Sequence, residues 1–105
     1  MSLSIHHEEP DSTTAVVILS GRLLLGPACL ELERLMADLL ARGFRHVTVD
    51  MGSLTHIDST GMGRFIDAYS KLKKLDGTLR LVKTSGAVRD MFRITRLDTI
   101  LNVES

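Results

Sequence analysis

The chain has 105 residues, with 13 Lys and Arg against 13 Asp and Glu, 44% apolar residues and a single cysteine. That length fits one hydrophobic core, hence one domain over residues 1–105, and leaves no room for a second catalytic unit. The zero formal charge argues against a protein whose main task is neutralising nucleic-acid phosphates, and Cys29 alone excludes an intramolecular disulfide or a paired-cysteine zinc spacing.

Residues 3–7 are a short alternating run, as an edge strand would be. Residues 14–20 form a nearly continuous β-branched and apolar stretch of the length of a buried strand. After Pro27, which suits the first turn of a helix, Ala28, Leu32, Leu35, Met36, Leu39 and Leu40 recur at helical spacing until Gly43. Residues 46–50 read as a second buried strand and residues 52–57 as a short connection anchored by Leu54 and Ile57. The next helix carries Met62, Phe65, Ile66, Tyr69 and Leu72 on one face. Residues 78–83 alternate around Leu79 and Leu81, residues 87–94 form a short helix with Val88, Met91 and Phe92 inward, and residues 99–103 make a weak last strand. Strands alternating with helices imply the α/β class, with a mixed, mostly parallel sheet of four or five strands and helices packed against it. An open-faced sheet with every helix on one side is the alternative layering.

No apolar run approaches the ~20 residues that cross a bilayer, so membrane insertion is not expected. The first residues, Met1 to His7, lack the basic and apolar blocks of a signal peptide, which points to a cytoplasmic location. Charge is unevenly spread: residues 1–58 hold four basic and eight acidic residues, residues 59–105 nine and five. In one domain this implies surface faces of different sign. Lys71, Lys73 and Lys74 read as a solvated helix face, with a salt-steered acidic partner as the alternative.

The most informative stretch is Ile57-Asp58-Ser59-Thr60-Gly61-Met62-Gly63, where an apolar segment gives way to a helix. Asp58 or Ser59 is placed to be the N-cap, since either side chain can accept from the free N–H groups of the first turn. Gly61 and Gly63 have no side chains to crowd that turn. A Ser at this position can carry a phosphate with little strain, because the N–H groups and the helix dipole favour an anion there.

These residues resemble the STAS domain family of anti-sigma factor antagonists. The shared pattern is a strand ending in Asp, here Val49-Asp50, then Leu54, then Ile57-Asp58-Ser59-Thr60-Gly61-Met62-Gly63. Leu19-Ser20-Gly21, the run from Gly77 to Val82 and residues 85–101 extend the resemblance over nearly the whole chain. It implies a STAS fold and a regulatory binding module, not an enzyme, with Ser59 as the phosphoacceptor. The implied partners are an anti-sigma factor that is also a serine kinase, and a phosphatase that resets the switch. Asp58, Ser59, Thr60, Gly61, Met62, Arg22, Leu24 and Leu25 would form the partner-binding face. One departure stands out: where the family carries Gly-x-Leu-Asp, this chain has Gly21-Arg22-Leu23-Leu24 and then Leu25. That apolar loop either packs under the first helix or meets a different partner, and it favours a second reading, a STAS scaffold subunit of a stress-signalling or transporter-associated complex.

Other chemistries fit less well. A receiver domain using Asp50 would need an acidic pair where Ser20-Gly21-Arg22 stands. A Ser59, His56, Asp58 relay is disfavoured because sequence neighbours seldom face one another in that geometry. His6 and His7 point to opposite sides of a strand, away from His46 and His56, so no metal site is expected, and no cofactor is implied.

Overall fold

The computed structural model describes residues 3–104; residues 1, 2 and 105, the ends of the expected domain, lie outside the described residues. Five strands, β1 (Ser4–Glu8), β2 (Thr14–Leu23), β3 (His46–Ile57), β4 (Thr78–Val82) and β5 (Asn102–Val103), form one sheet in sequence order. β1 is antiparallel to β2, and the other neighbours are parallel. The helices α1 (Pro27–Ala41), α2 (Ser59–Lys74) and α3 (Gly86–Ile94) connect the parallel strands, and a short 3-10 turn, Leu97–Thr99, precedes β5. The expected mixed, mostly parallel sheet is present.

Right-handed crossovers that always step the same way across a sheet leave their helices on one face. Burial follows that rule. Ala15, Val17 and Leu19 of β2, Val47, Val49 and Met51 of β3, and Leu79 and Leu81 of β4 are buried, whereas Val16, Ile18, Thr48, Asp50, Arg80 and Val82 between them are half-buried or exposed. The layering is the open-faced alternative. Phe65 of α2 and Phe92 of α3 are fully buried, with ring centroids 6.2 Å apart, and join the two helices over the sheet.

Three expectations are corrected. Residues 52–57 are not a connection: β3 continues through them, because β2 also runs on to Leu23 and pairs Gly21 with Leu54, Arg22 with His56 and Leu23 with Ile57. Two register shifts interrupt this ladder: the first gives β3 one extra residue within Met51 and Gly52, before Ser53 pairs with Ser20, and the second leaves out Thr55 between Leu54 and His56, as bulges commonly do near sites where a side chain must be re-aimed. Second, Ile66 is 41% exposed and Tyr69 half-buried, and the core face of α2 is made by Gly61, Met62, Phe65, Ala68 and Leu72. Third, the last strand shrinks to two residues, since Thr99 belongs to the 3-10 turn.

The acidic and basic halves of the chain meet across the fold. Arg64 of α2 pairs with Glu33 of α1, and Lys83 lies 3.2 Å from Asp50 of β3. Gly77 fits the α2–β4 turn against β3: a Cβ there would lie 2.2 Å from the Arg45 carbonyl oxygen.

Truncating the aromatic contact tests this core. Phe65→Ala is expected to lower the free energy of unfolding by about 3–5 kcal/mol, read as a lower urea midpoint with an unchanged slope.

Candidate functional site

At the carboxyl end of the sheet, β3 passes into α2 without a loop. Asp58 has extended backbone angles and is the N-cap; its Oδ1 accepts from the Gly61 N–H at 2.8 Å, and its carbonyl accepts from Met62 at 2.9 Å. The second carboxylate oxygen reaches out of the helix, where Oδ2 accepts from the Leu25 N–H at 2.8 Å. One side chain therefore ties the β2–α1 loop to the start of α2. Ser59, the first residue of α2, is exposed, and Thr60 is half-buried.

Gly61 explains the closeness of the two elements. A Cβ at this position would lie 2.6 Å from the Leu23 carbonyl oxygen and 2.9 Å from Leu23 Cγ, so any side chain would push α2 off the end of β2. The same does not hold for Gly63, whose absent Cβ would meet nothing within 4 Å.

The three leucines of the β2–α1 loop divide their roles. Leu23 is fully buried, Leu24 is half-buried with its carbonyl accepting from Cys29 Sγ at 3.1 Å, and Leu25 is 76% exposed. Leu23 thus packs in the core, but Leu25 faces solvent, so the Leu23 to Leu25 loop does not pack as a whole under the first helix. Arg22 is exposed and sits opposite His56 in the ladder. His56 Nδ1 is 2.8 Å from Thr55 Oγ1, and Thr55 Oγ1 donates to the Gly21 carbonyl at 2.9 Å.

Of the expected partner-binding residues, Arg22, Leu24, Leu25, Asp58, Ser59 and Thr60 reach this end of the molecule with some exposure. Gly61 and Met62 are buried, because the helix turns them toward the core, so they support the face from beneath. The bridge from Asp58 to Leu25 and the thiol contact of Cys29 on the loop carbonyl were not anticipated. Both join residues through tertiary placement, and only the aspartate left a local signal, its capping position.

Electrostatics fit a structural carboxylate. Desolvation at the helix start pushes the Asp58 carboxyl up, but donation from the backbone N–H groups of Gly61, Leu25 and Thr60 outweighs it and holds the group below its ordinary value. Burial, then the negative charge of Asp58, pushes the Cys29 thiol up, so this cysteine is not an activated nucleophile. Ser59, His56 and Asp58 form no relay: the carboxylate is engaged by N–H donors and the imidazole by Thr55. The arrangement leaves the exposed Ser59 at the positive end of a helix.

Comparison with known proteins agrees with this geometry. The model of the STAS domain family matches residues 5–105. An anti-sigma-B factor antagonist from Staphylococcus aureus is 29% identical over 73 residues, covering 70% of this chain and 68% of that protein. Among solved structures, an anti-sigma factor antagonist from Mycobacterium paratuberculosis superposes with a TM-score of 0.82 at 23% identity, over 98% of this chain and 86% of that one. The Bacillus cell fate determinant SpoIIAA in its phosphorylated form superposes with a TM-score of 0.78 at 18% identity, over 97% and 91%. These superpositions establish the shared fold.

Two outcomes follow from the Asp58 bridge. Asp58→Ala removes the acceptor for two backbone donors and is expected to cost about 1–2 kcal/mol, with faster amide exchange at Leu25 and Gly61. Because the native carboxyl titrates below its unfolded value, its stabilisation is fully present above about pH 4 and disappears as pH falls through the folded value. The stability difference between the wild type and Asp58→Asn should therefore narrow in acid, as measured by urea titrations across that range.

Proposed function

Because the chain belongs to the STAS domain family, we propose that it is an anti-sigma factor antagonist, a non-catalytic binding module switched by phosphorylation of Ser59. In this reading the unphosphorylated form binds an anti-sigma factor with serine-kinase activity and so releases a sigma factor for transcription. The kinase modifies Ser59 to end the complex, and a phosphoserine phosphatase restores it.

The observation that carries the proposal is the exposed Ser59 at the first position of α2, beside the exposed Leu25 that Asp58 fixes in place. A phosphate on Ser59 would sit at the positive end of the helix dipole and leave the fold intact. It would add a charge of about −1.5 to −2 at neutral pH to a molecule whose formal charge is zero. Next to an apolar loop that docks against a partner, that charge must be desolvated or repelled, and either weakens the complex. The named relatives support the reading: the Staphylococcus aureus protein is an anti-sigma-B factor antagonist, and SpoIIAA, of like fold, is described in a phosphorylated form.

Leu24, where the family pattern carries an acidic residue, and Leu25 after it favour a second reading. A permanently apolar loop suits a STAS scaffold subunit held in a larger assembly, in which Ser59 is not a switch.

Incubation with ATP and the candidate kinase, followed by mass spectrometry, separates the two. The switch predicts one phosphate on Ser59, none on Ser59→Ala, and partner affinity reduced at least about tenfold in Ser59→Asp. An unmodified Ser59 with a kinase shown to bind, together with a Ser59→Asp variant that assembles normally, would establish the scaffold instead.

A further inference from the structure

Beyond its first turn, the outer face of α2 is a surface that the proposed switch does not use. Gly63, Ile66, Ser70 and Lys74 recur three and four residues apart on α2 and share the side turned away from the buried Phe65, Ala68 and Leu72. Near its middle this stripe is apolar: Ile66 is 41% exposed, and the half-buried Tyr69 ring carries the Lys73 ammonium 5.7 Å from its centroid. Ile66, Tyr69, Ser70, Lys73 and Lys74 line a shallow groove. At the helix end, Lys71, Lys73 and Lys74 are exposed, and among the described residues none of them lies in an ion pair.

Cations in a last turn complement the helix dipole, which accounts for lysine there but not for the apolar floor that begins two turns earlier. An apolar floor with a basic rim on one side fits a segment with apolar residues on one face and carboxylates beside them. We infer that the C-terminal half of α2 is a docking site for an acidic amphipathic helix of a partner protein. Ile66 and Tyr69 take its apolar residues, and Lys73 and Lys74, which line the same groove, pair with its carboxylates. Single-stranded nucleic acid fits less well, because the groove offers one aromatic ring, Tyr69, where successive bases need a run of stacking platforms. A lipid surface fits less well because only Ile66 stands out far enough to insert. The site begins about 10 Å along the helix from Ser59, at about 1.5 Å per residue. It therefore does not require Ser59 to be a phosphoacceptor.

The test uses the labelled full chain and a synthetic helical peptide with leucines at i, i+3, i+4 and i+7 flanked by glutamates, followed by NMR. Amide shifts are expected along residues 66–74, with affinity weakened about tenfold by a rise from low to physiological salt. Lys73→Glu/Lys74→Glu should reduce binding about tenfold or more and flatten its salt dependence. Ile66→Ala should weaken binding while preserving that dependence. Lys73→Gln/Lys74→Gln serves as the charge-neutral version should the reversal disturb folding. The inference is overturned by shifts centred elsewhere, by equal binding of the lysine variants, or by equal binding of a lysine-flanked peptide. Tighter binding to phosphatidylglycerol vesicles or single-stranded DNA than to the acidic peptide overturns it as well.

Discussion

A single carboxylate holds the Ser59 end of this molecule together. Asp58 closes β3, caps α2 through Gly61 and holds the loop before α1 through Leu25. Helix starts and loops leaving a strand both present backbone N–H groups that need acceptors. Supplying both from the two oxygens of one side chain fixes the separation of two segments that are 33 residues apart in sequence. What is left outward at that end, the Ser59 hydroxyl and the Leu25 side chain, is presented on a frame that is already satisfied internally.

That arrangement depends on a close approach that only one residue type permits. The β2–β3 ladder continues past its first register shift so that Leu23 lies beside Ile57, and Gly61 then rests against the Leu23 carbonyl. Were α2 to begin farther away, the Asp58 carboxylate could cap its own helix but not reach Leu25. Sheet register, a missing side chain and a bifurcated acceptor are thus successive conditions on the same few ångströms.

Much of this was legible in the chain. The apolar run of β2, the helical spacing of α1 and the Asp58-Ser59-Thr60-Gly61 cap all report on local chemistry, and local chemistry decides whether a strand or a helix start forms. The continuation of β3 through Gly52 and Ser53 was not legible, because it is set by a neighbouring strand and not by those residues' own preferences. The same limit applies to the leucines. Leu23 and Leu25 are chemically identical, and only the point at which β2 ends decides that one is buried and the other exposed. Along α2, five apolar residues at helical spacing span a wider arc than the sheet can cover, so Ile66 emerged on the outer face.

Strand order equal to sequence order has a consequence for how the molecule is made. The elements that build the Ser59 end, β2, α1, β3 and α2, come from one uninterrupted stretch of chain, residues 14–74. Each parallel strand finds its neighbour one helix later, so a chain emerging from its N-terminus can pair strands in the order in which they appear. The final helix, α3, arrives last and brings Phe92 against Phe65. In synthesis, the Ser59 end can be laid down first and the core sealed behind it.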